Sequence, residues 1–317
     1  MVGPADQDDE DAARHGDALA AARARTADEP TSAEARRSLA QTLAAEARAA
    51  RSAGHLTDAL ALAVDSTRTR GAVIALLDQG AAPRSAATRF EARLRFAVAA
   101  GTEAEIAAAA GAPEHAHEAA LRCLGLSEEL SSRAVTSGDD GLGVTLAEVA
   151  AVLDAGADAR ADASNRAWAE AVRWSRVATA AKPTASNRRL LAVYLVTLSQ
   201  RDHARVDHEA ARRHQQEAQA VVHAMLDRDP EDVSSQLLLF WIRLLLAESL
   251  RACGARLQSK RLRWVAGWSV PDLVERLRAA GRGEQADAIA TAMRNAAKGF
   301  APPANLLLEL GVQMLDG

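Results

Sequence analysis

The fold of this 317-residue chain is decided by residues 217–245, which read EAQAVVHAMLDRDPEDVSSQLLLFWIRLL. A near copy stands 47 residues earlier, at 170–198, and reads EAVRWSRVATAAKPTASNRRLLAVYLVTL. In each copy a proline follows the Glu-Ala pair, twelve residues after the Ala, and a pair of leucines begins seven residues after the proline. A helix, a proline corner and a second helix, used twice, indicate a helical-repeat protein.

The composition points to the same class. Aromatic residues make up only 3% of the chain, which argues against sandwich and barrel folds, whose strands depend on aromatic and β-branched side chains. The abundant Ala, Leu, Arg and Glu favour helix. We therefore expect an all-α fold, an α-solenoid-like array of antiparallel helix pairs.

Net charge, hydropathy and cysteine content indicate which partners and which cellular compartment to expect. The formal net charge of −4 is too near balance to imply nucleic acid or a membrane as a partner of the whole chain. The densest apolar stretch, Leu237 to Ala247, is about half the length of a membrane span and contains Arg243. The acidic start does not resemble a secretory signal, and the isolated Cys123 and Cys253 indicate free thiols. We expect a cytoplasmic protein without a membrane partner.

Composition shifts along the chain predict three regions. Residues 1–30 form an acidic flexible tail with a frayed helix around Ala18–Arg25. Residues 31–160 form a region of short helices, and residues 161–317 form longer helical repeats that end in a capping helix, Ala304 to Leu315.

The second region begins with clear helix signals. A helix should start after Pro30, with Thr31 or Ser32 as the N-cap, and end at Gly54. Its buried stripe is marked by Leu39 and Leu43. Further on, the polar and Gly-rich stretch 131–143 is typical of a loop.

Three segments between residues 56 and 160 end in the same way, with a glycine that should close a helix in the left-handed conformation. These glycines are Gly80, Gly111 and Gly156. The frame around them resembles the second helix and turn of an ankyrin repeat, which implies short helix pairs. Generic Ala-rich hairpins are the alternative, because the glycine spacings of 31 and 45 depart from the ankyrin repeat of about 33.

Residues 165–253 resemble a tetratricopeptide-repeat protein, and Ala280 to Ala286 begins an echo at 280–300. The Glu-Ala pair and the later proline match the second helix and closing turn of that family. The family repeat has about 34 residues, and longer helices can absorb the surplus, most of which falls around the charged stretch 202–216. The resemblance implies recognition of a protein or peptide, with Arg188, Arg189 and Arg243 as candidate contacts.

A basic stretch, Arg251 to Arg263, follows the second copy and contains no acid. Its cations and the next two tryptophans are candidate partner-binding residues: Arg256, Lys260, Arg261, Arg263, Trp264 and Trp268. Arg and Trp dominate binding hot spots. Nucleic acid or an acidic peptide is one interpretation. The interpretation we favour is a solvated connection with both tryptophans in the core. Trp168, Trp174, Trp241 and Tyr194 are also expected to pack between helices.

The chain offers little catalytic chemistry. It has neither a glycine-rich phosphate loop nor a Gly-x-Ser-x-Gly elbow. The histidines cluster between residues 203 and 223, and on one continuous helix His203 and Asp207 share a face. A solvated helical face is the interpretation we favour, so we expect no catalytic residue, metal or cofactor.

Three functions follow from these patterns. The first is a non-catalytic scaffold or adaptor that binds a protein or peptide, with a regulatory role left open. The second is a nucleic-acid-binding regulatory module that uses residues 251–263. The third is an all-α enzyme with a His/Asp site near residues 202–214.

Overall fold

The structure, a computed structural model, describes residues 17–80, 86–131, 140–155 and 161–297. Nearly all of these residues lie in α-helices, and none of them lies in a strand. The prediction of an all-α fold is confirmed. The chain divides between Ala171 and Val172, inside a helix, into two compact units. The predicted region boundaries at residues 30 and 160 stay predictions.

The first unit is built from consecutive helices that pack on their neighbours. Helix α2 packs on α3, α3 on α4 and α4 on α5. The helices are α1 (17–28), α2 (Ala33–Ser52), α3 (Leu56–Asp78), α4 (Ala86–Ala109), α5 (Pro113–Ser131), α6 (Asp140–Asp154) and the start of α7 (Ala161–Ala181). Helix α1 lies where the sequence predicts a helix within the acidic tail.

The second unit continues the same arrangement. Helix α8 packs on α9, α9 on α10, α10 on α11 and α12 on α13. Its helices after α7 are α8 (Ala185–Ala204), α9 (His208–Leu226), α10 (Val233–Ala252), α11 (Arg256–Trp268), α12 (Val270–Ala279) and α13 (Gly283–Ala297). The predicted capping helix, Ala304 to Leu315, lies outside the described residues.

Five of the described helix pairs share one turn of three residues. The middle residue has a positive φ, and the third donates its N–H to the carbonyl oxygen five residues earlier at 2.8–2.9 Å, as in a Schellman motif. These turns are 53–55, 110–112, 205–207, 253–255 and 280–282. Glycine occupies the middle position except at Val206, whose φ of 65° is strained for a β-branched residue.

Helix α2 forms as its sequence signals predict. Ser32 is the N-cap, and its hydroxyl oxygen accepts a hydrogen bond from the Ala35 N–H. The helix ends at Ser52, before Gly54 with φ 81°. Leu43 is buried, whereas Leu39 is only partly buried.

The expectation of short helices between residues 55 and 160 is wrong. Helices α3 and α4 contain 23 and 24 residues. The predicted glycines do end them, since Gly80 and Gly111 have φ values of 74° and 73°, while Gly156 lies outside the described residues. Before these glycines, Ala-rich sequence sustains helix through Gly71 and Gly101.

The prediction of a loop over 131–143 is wrong at both ends of this stretch, where the chain is helical. Ser131 is the last residue of α5, and α6 begins at Asp140, so Gly141 to Gly143 is helical. Leu142 is completely buried. This burial offsets the entropic cost of the flanking glycines. Residues 132–139 lie outside the described residues.

The two 47-residue copies each lie across two helices, α7 and α8 for the first copy and α9 and α10 for the second. Helices α7 and α9 carry the Glu-Ala pairs, with Ala171 and Ala218 completely buried. After each proline a side chain caps the next helix: the Asn187 N–H donates to the Thr184 hydroxyl, and the Ser234 N–H donates to Asp232. The predicted longer helices are confirmed, since α7 to α10 contain 19 to 21 residues each. The four aromatic residues expected to pack between helices are buried: Trp168, Trp174, Tyr194 and Trp241.

Helix α10 stands out among the described helices for its combination of length and apolar composition. With 20 residues it is long and apolar enough to cross a membrane, so the expectation that this stretch is too short for a span does not hold. Within the fold, 72% of its most apolar window is buried.

Candidate functional site

Helix α11 carries most of the candidate binding residues. It follows α10 through the turn 253–255 and packs along α10. Ser259 and Ala266, seven residues apart, are its buried residues. At 100° per residue they lie on one side of the helix, and this side faces the core of the second unit.

The opposite side of α11 exposes large apolar side chains. Leu257, Trp264 and Trp268 are 83%, 60% and 73% exposed. Together with the exposed Arg261 they follow the spacing 4, 3 and 4, which places all four on one stripe. We call these four residues the α11 face. The expectation that both tryptophans lie in the core is therefore wrong, because they lie opposite Ala266.

The two tryptophans of the α11 face contact each other. Their ring centroids are 4.8 Å apart, with the planes tilted by 45°. Aromatic pairs at this distance attract one another, which restricts the motion of both rings. Side chains whose motion is already restricted lose less entropy when they become buried.

Three cations lie on the same helix as the tryptophans. Arg256, Lys260 and Arg261 are exposed, and none of them forms an ion pair with a described residue. Arg263 differs, because it pairs with the largely buried Glu248 of α10, which Arg251 also contacts at 2.8 Å. Arg263 therefore fastens α11 to α10, while the other three remain available to a partner.

The remaining candidate arginines lie on α8 and α10. Arg189 pairs with Asp232 at 3.0 Å, and Asp232 is the N-cap of α10. This pair ties α8 to the start of α10. Arg243 is half-buried, and burial lowers its pKa below the ordinary value. Arg188 is partly exposed on α8.

The histidine cluster is divided by a turn. Residues 205–207 separate α8 from α9, so His203 and Asp207 do not share a helical face, contrary to expectation. Asp207 instead caps α9, accepting a hydrogen bond from the Ala210 N–H. The His203 and His208 Nδ1 atoms lie 3.2 Å apart, and burial and then His208 lower the pKa of His203.

One Asp-His pair forms within this cluster. His214 Nδ1 lies 2.8 Å from an Asp202 carboxylate oxygen, joining α9 to α8. Among the residues that the structure describes, no three His, Cys, Asp or Glu side chains converge in a way that would hold a metal ion.

The structure also reveals a feature that the sequence did not. In the first unit, α2, α3 and α4 surround a cavity of about 740 Å³ that is lined by Arg37, Arg48, Arg70 and Arg95. These arginines come from three helices and from positions far apart in the chain. No linear motif marks them, so only the packing brings them together.

Comparisons with known proteins relate this chain to others by fold. No family model matches it, and no curated protein matches it by sequence. Among solved structures it is similar to the crystal structure of BtubC (BKLC) from P. vanneervenii, with a TM-score of 0.51. The identity is 15%, over 86% of this chain and 91% of that chain. The likeness concerns the all-α fold alone.

Proposed function

We propose that this chain is a non-catalytic, cytoplasmic scaffold that binds a protein or peptide through the α11 face. The observation that carries the proposal is the exposure of Leu257, Trp264 and Trp268 on one stripe. Contiguous exposed apolar side chains with a polar rim are typical of interaction sites. Trp and Arg are also the residues most enriched among interface hot spots.

The architecture that we propose for the scaffold is an array of tetratricopeptide-like hairpins. The support is the order of helices α7 to α10 along the two copies, with a side-chain cap on the helix that follows each of Pro183 and Pro230. An ankyrin-like unit receives no such support, because a repeat of about 33 residues cannot hold two helices as long as α3 and α4. Helical hairpins of the tetratricopeptide-like kind stack into extended binding surfaces.

The proposal predicts that partner binding depends on the two tryptophans of the α11 face. The change Trp264→Ser with Trp268→Ser should weaken binding by roughly thirtyfold or more, because a hot-spot residue contributes about 2 kcal/mol. Quantitative affinity capture from the native cell, followed by mass spectrometry, measures this loss. The fold should persist, since both side chains are mostly exposed.

The matched control is Leu121→Ser on α5, where the leucine is 41% exposed and lies outside the α11 face. This variant should retain every partner of the wild type. If the double tryptophan variant captures the same proteins in the same amounts, the α11 face is not the binding surface.

A second candidate function is binding of single-stranded nucleic acid. The three unpaired cations beside exposed tryptophans favour it, because such sites combine a basic track with stacking platforms. Three phosphate contacts give a log–log salt slope of roughly −2 for a single strand. Reversing the charge at Lys260 and Arg261 should then abolish oligonucleotide binding. Binding that is unchanged by salt and by these substitutions rules this function out.

A further inference from the structure

The cavity of the first unit is lined by residues of α2, α3 and α4. Helix α3 packs on both α2 and α4. Buried Ala47 on α2 and Ala63 and Val73 on α3 contribute apolar lining. The volume of about 740 Å³ falls within the range of small-molecule sites, which is roughly 300 to 1,000 Å³. We call this space the arginine cleft.

The charge of the cleft is strongly one-sided. Its lining holds four arginines and one acid, Glu91. Glu91 is already paired with Arg95 at 2.7 Å, and Arg37 is paired with Glu34, which lies outside the lining. Arg48 and Arg70 form no ion pair with a described residue. The cleft therefore retains uncompensated positive charge.

Arg70 is the most unusual of these groups. Its Nε atom is buried and has no hydrogen-bond partner among the described residues. Burial and then repulsion from Arg95 and Arg48 lower the pKa of Arg70 to about 10, so the guanidinium still carries its charge at neutral pH. A charge that is partly removed from water without a partner destabilises the free protein. A bound anion removes this penalty.

We infer that the arginine cleft binds a small, multiply charged oxyanion, with Arg70 as the central contact and Arg48 and Arg95 on either side of it. Guanidinium groups form paired hydrogen bonds with phosphate and carboxylate oxygens. The described lining contains no aromatic side chain on which a nucleobase stacks, and its apolar part is mostly alanine. The ligand class is thus a compact diphosphate or polycarboxylate.

Calorimetric titration of the full chain with inorganic pyrophosphate and, separately, with citrate tests the inference. At least one of them should bind with a stoichiometry of one per chain. The change Arg70→Met should weaken this binding by about ten- to a hundredfold, because a hydrogen bond to a charged group contributes that much. The same variant should melt at a higher temperature without ligand, since it lacks the unpaired charge.

Arg68→Met is the matched control on the same helix. Arg68 is 75% exposed, pairs with Asp65 at 3.0 Å and does not line the cleft, yet its loss changes the net charge equally. Binding by this variant should stay within about twofold of the wild type. A purely non-specific attraction of anions would weaken both variants alike, and that result overturns the inference.

The two ligands separate the possible sources of the anion. Preference for pyrophosphate assigns the cleft to phosphorylated ligands, and preference for citrate assigns it to polycarboxylates. If neither anion saturates the chain, or if hexaglutamate binds more tightly than both, a small-anion site is excluded. The Trp264→Ser, Trp268→Ser variant should bind both anions normally, so failure of this inference is distinct from failure of the α11 face.

Discussion

Glu148 of α6 shows how a single residue makes stability depend on pH. Its carboxyl group is largely buried and close to Glu105, which is paired with Arg51 at 2.5 Å. Burial is the larger cause and repulsion from Glu105 the smaller, and together they raise the pKa of Glu148 from 4.5 to about 7, although Arg51 opposes the shift. The folded state therefore retains a proton that the unfolded chain releases.

Stability should fall as the pH rises from about 4.5 to about 7, because over this window the folded state binds more protons than the unfolded state. The change Glu148→Gln removes this dependence of stability on pH. At a pH of about 8 it should raise the free energy of unfolding by about 2 kcal/mol, and below about pH 4.5 it should change little. Urea denaturation across this pH range measures the difference.

Glu128→Gln is the control for this prediction, since Glu128 forms an exposed pair with Arg166 at 2.8 Å. Loss of an exposed pair costs about 0 to 1 kcal/mol and should not raise stability. Equal pH profiles for Glu148→Gln and the wild type would contradict the assignment.

At the scale of single residues, the sequence predicts burial better than exposure. Trp241 was predictable as a core residue because it lies within a continuous apolar run. Trp264 was not, because a tryptophan in a short basic helix has two possible sides, and only the packing of Ala266 on the core decides between them. Arg70 likewise carries no local sign that its Nε atom is buried.

At the scale of elements, α4 and α6 approach unusually closely at Gly101. A Cβ atom at this position would lie 2.0 Å from the Thr145 Cγ2 atom and 3.3 Å from both Cys123 Sγ and Val149 Cγ2. Only glycine fits such a crossing without displacing a neighbour. Gly125 of α5 is different, since a Cβ atom there meets nothing within 4 Å.

Gly101→Ala should therefore destabilise the protein by about 1 to 3 kcal/mol through overpacking, despite the better helix propensity of alanine. Gly125→Ala should stabilise it by about 0.5 to 1 kcal/mol, because only the propensity changes. Urea denaturation compares the two. Adding Thr145→Ser, which removes the Cγ2 atom, should restore part of the loss at Gly101. Equal effects of the two alanines would contradict the close crossing.

The elements themselves were predictable wherever their ends are marked. Ser32 and Gly54 define α2 from the sequence alone, and the two prolines locate α8 and α10. The length of α3 was missed because Gly71 lies inside a helix that continues around it. The start of α6 was missed because Gly141 and Gly143 resemble a loop until the burial of Leu142 is known.

At the scale of the whole molecule, the five tryptophans divide into two sets. Trp168, Trp174 and Trp241 are buried, whereas Trp264 and Trp268 are exposed beside cations. Iodide, an anionic quencher, should therefore reach only the second set. The change Trp264→Phe with Trp268→Phe should abolish most of the iodide-quenchable fluorescence, while Trp241→Phe should leave it intact. Quenching that persists in the double variant would show that a third tryptophan is accessible.

The overall class was accessible from composition and from the 47-residue repeat, because helix propensity and repeat period are properties of the chain itself. The arginine cleft was not, since its four arginines come from three helices and are separated by 11, 22 and 25 positions. Long-range convergence of this kind depends on how helices pack, and no window along the sequence contains it.

The three-residue turns also have a consequence for how the molecule is made. Each of these hairpins joins residues that are close in sequence, so closing it requires little loop entropy. Proteins dominated by local contacts fold quickly. A hairpin such as α2–α3 is therefore ready to close as soon as its second helix has left the ribosome. Synthesis and folding then proceed together, one hairpin after another.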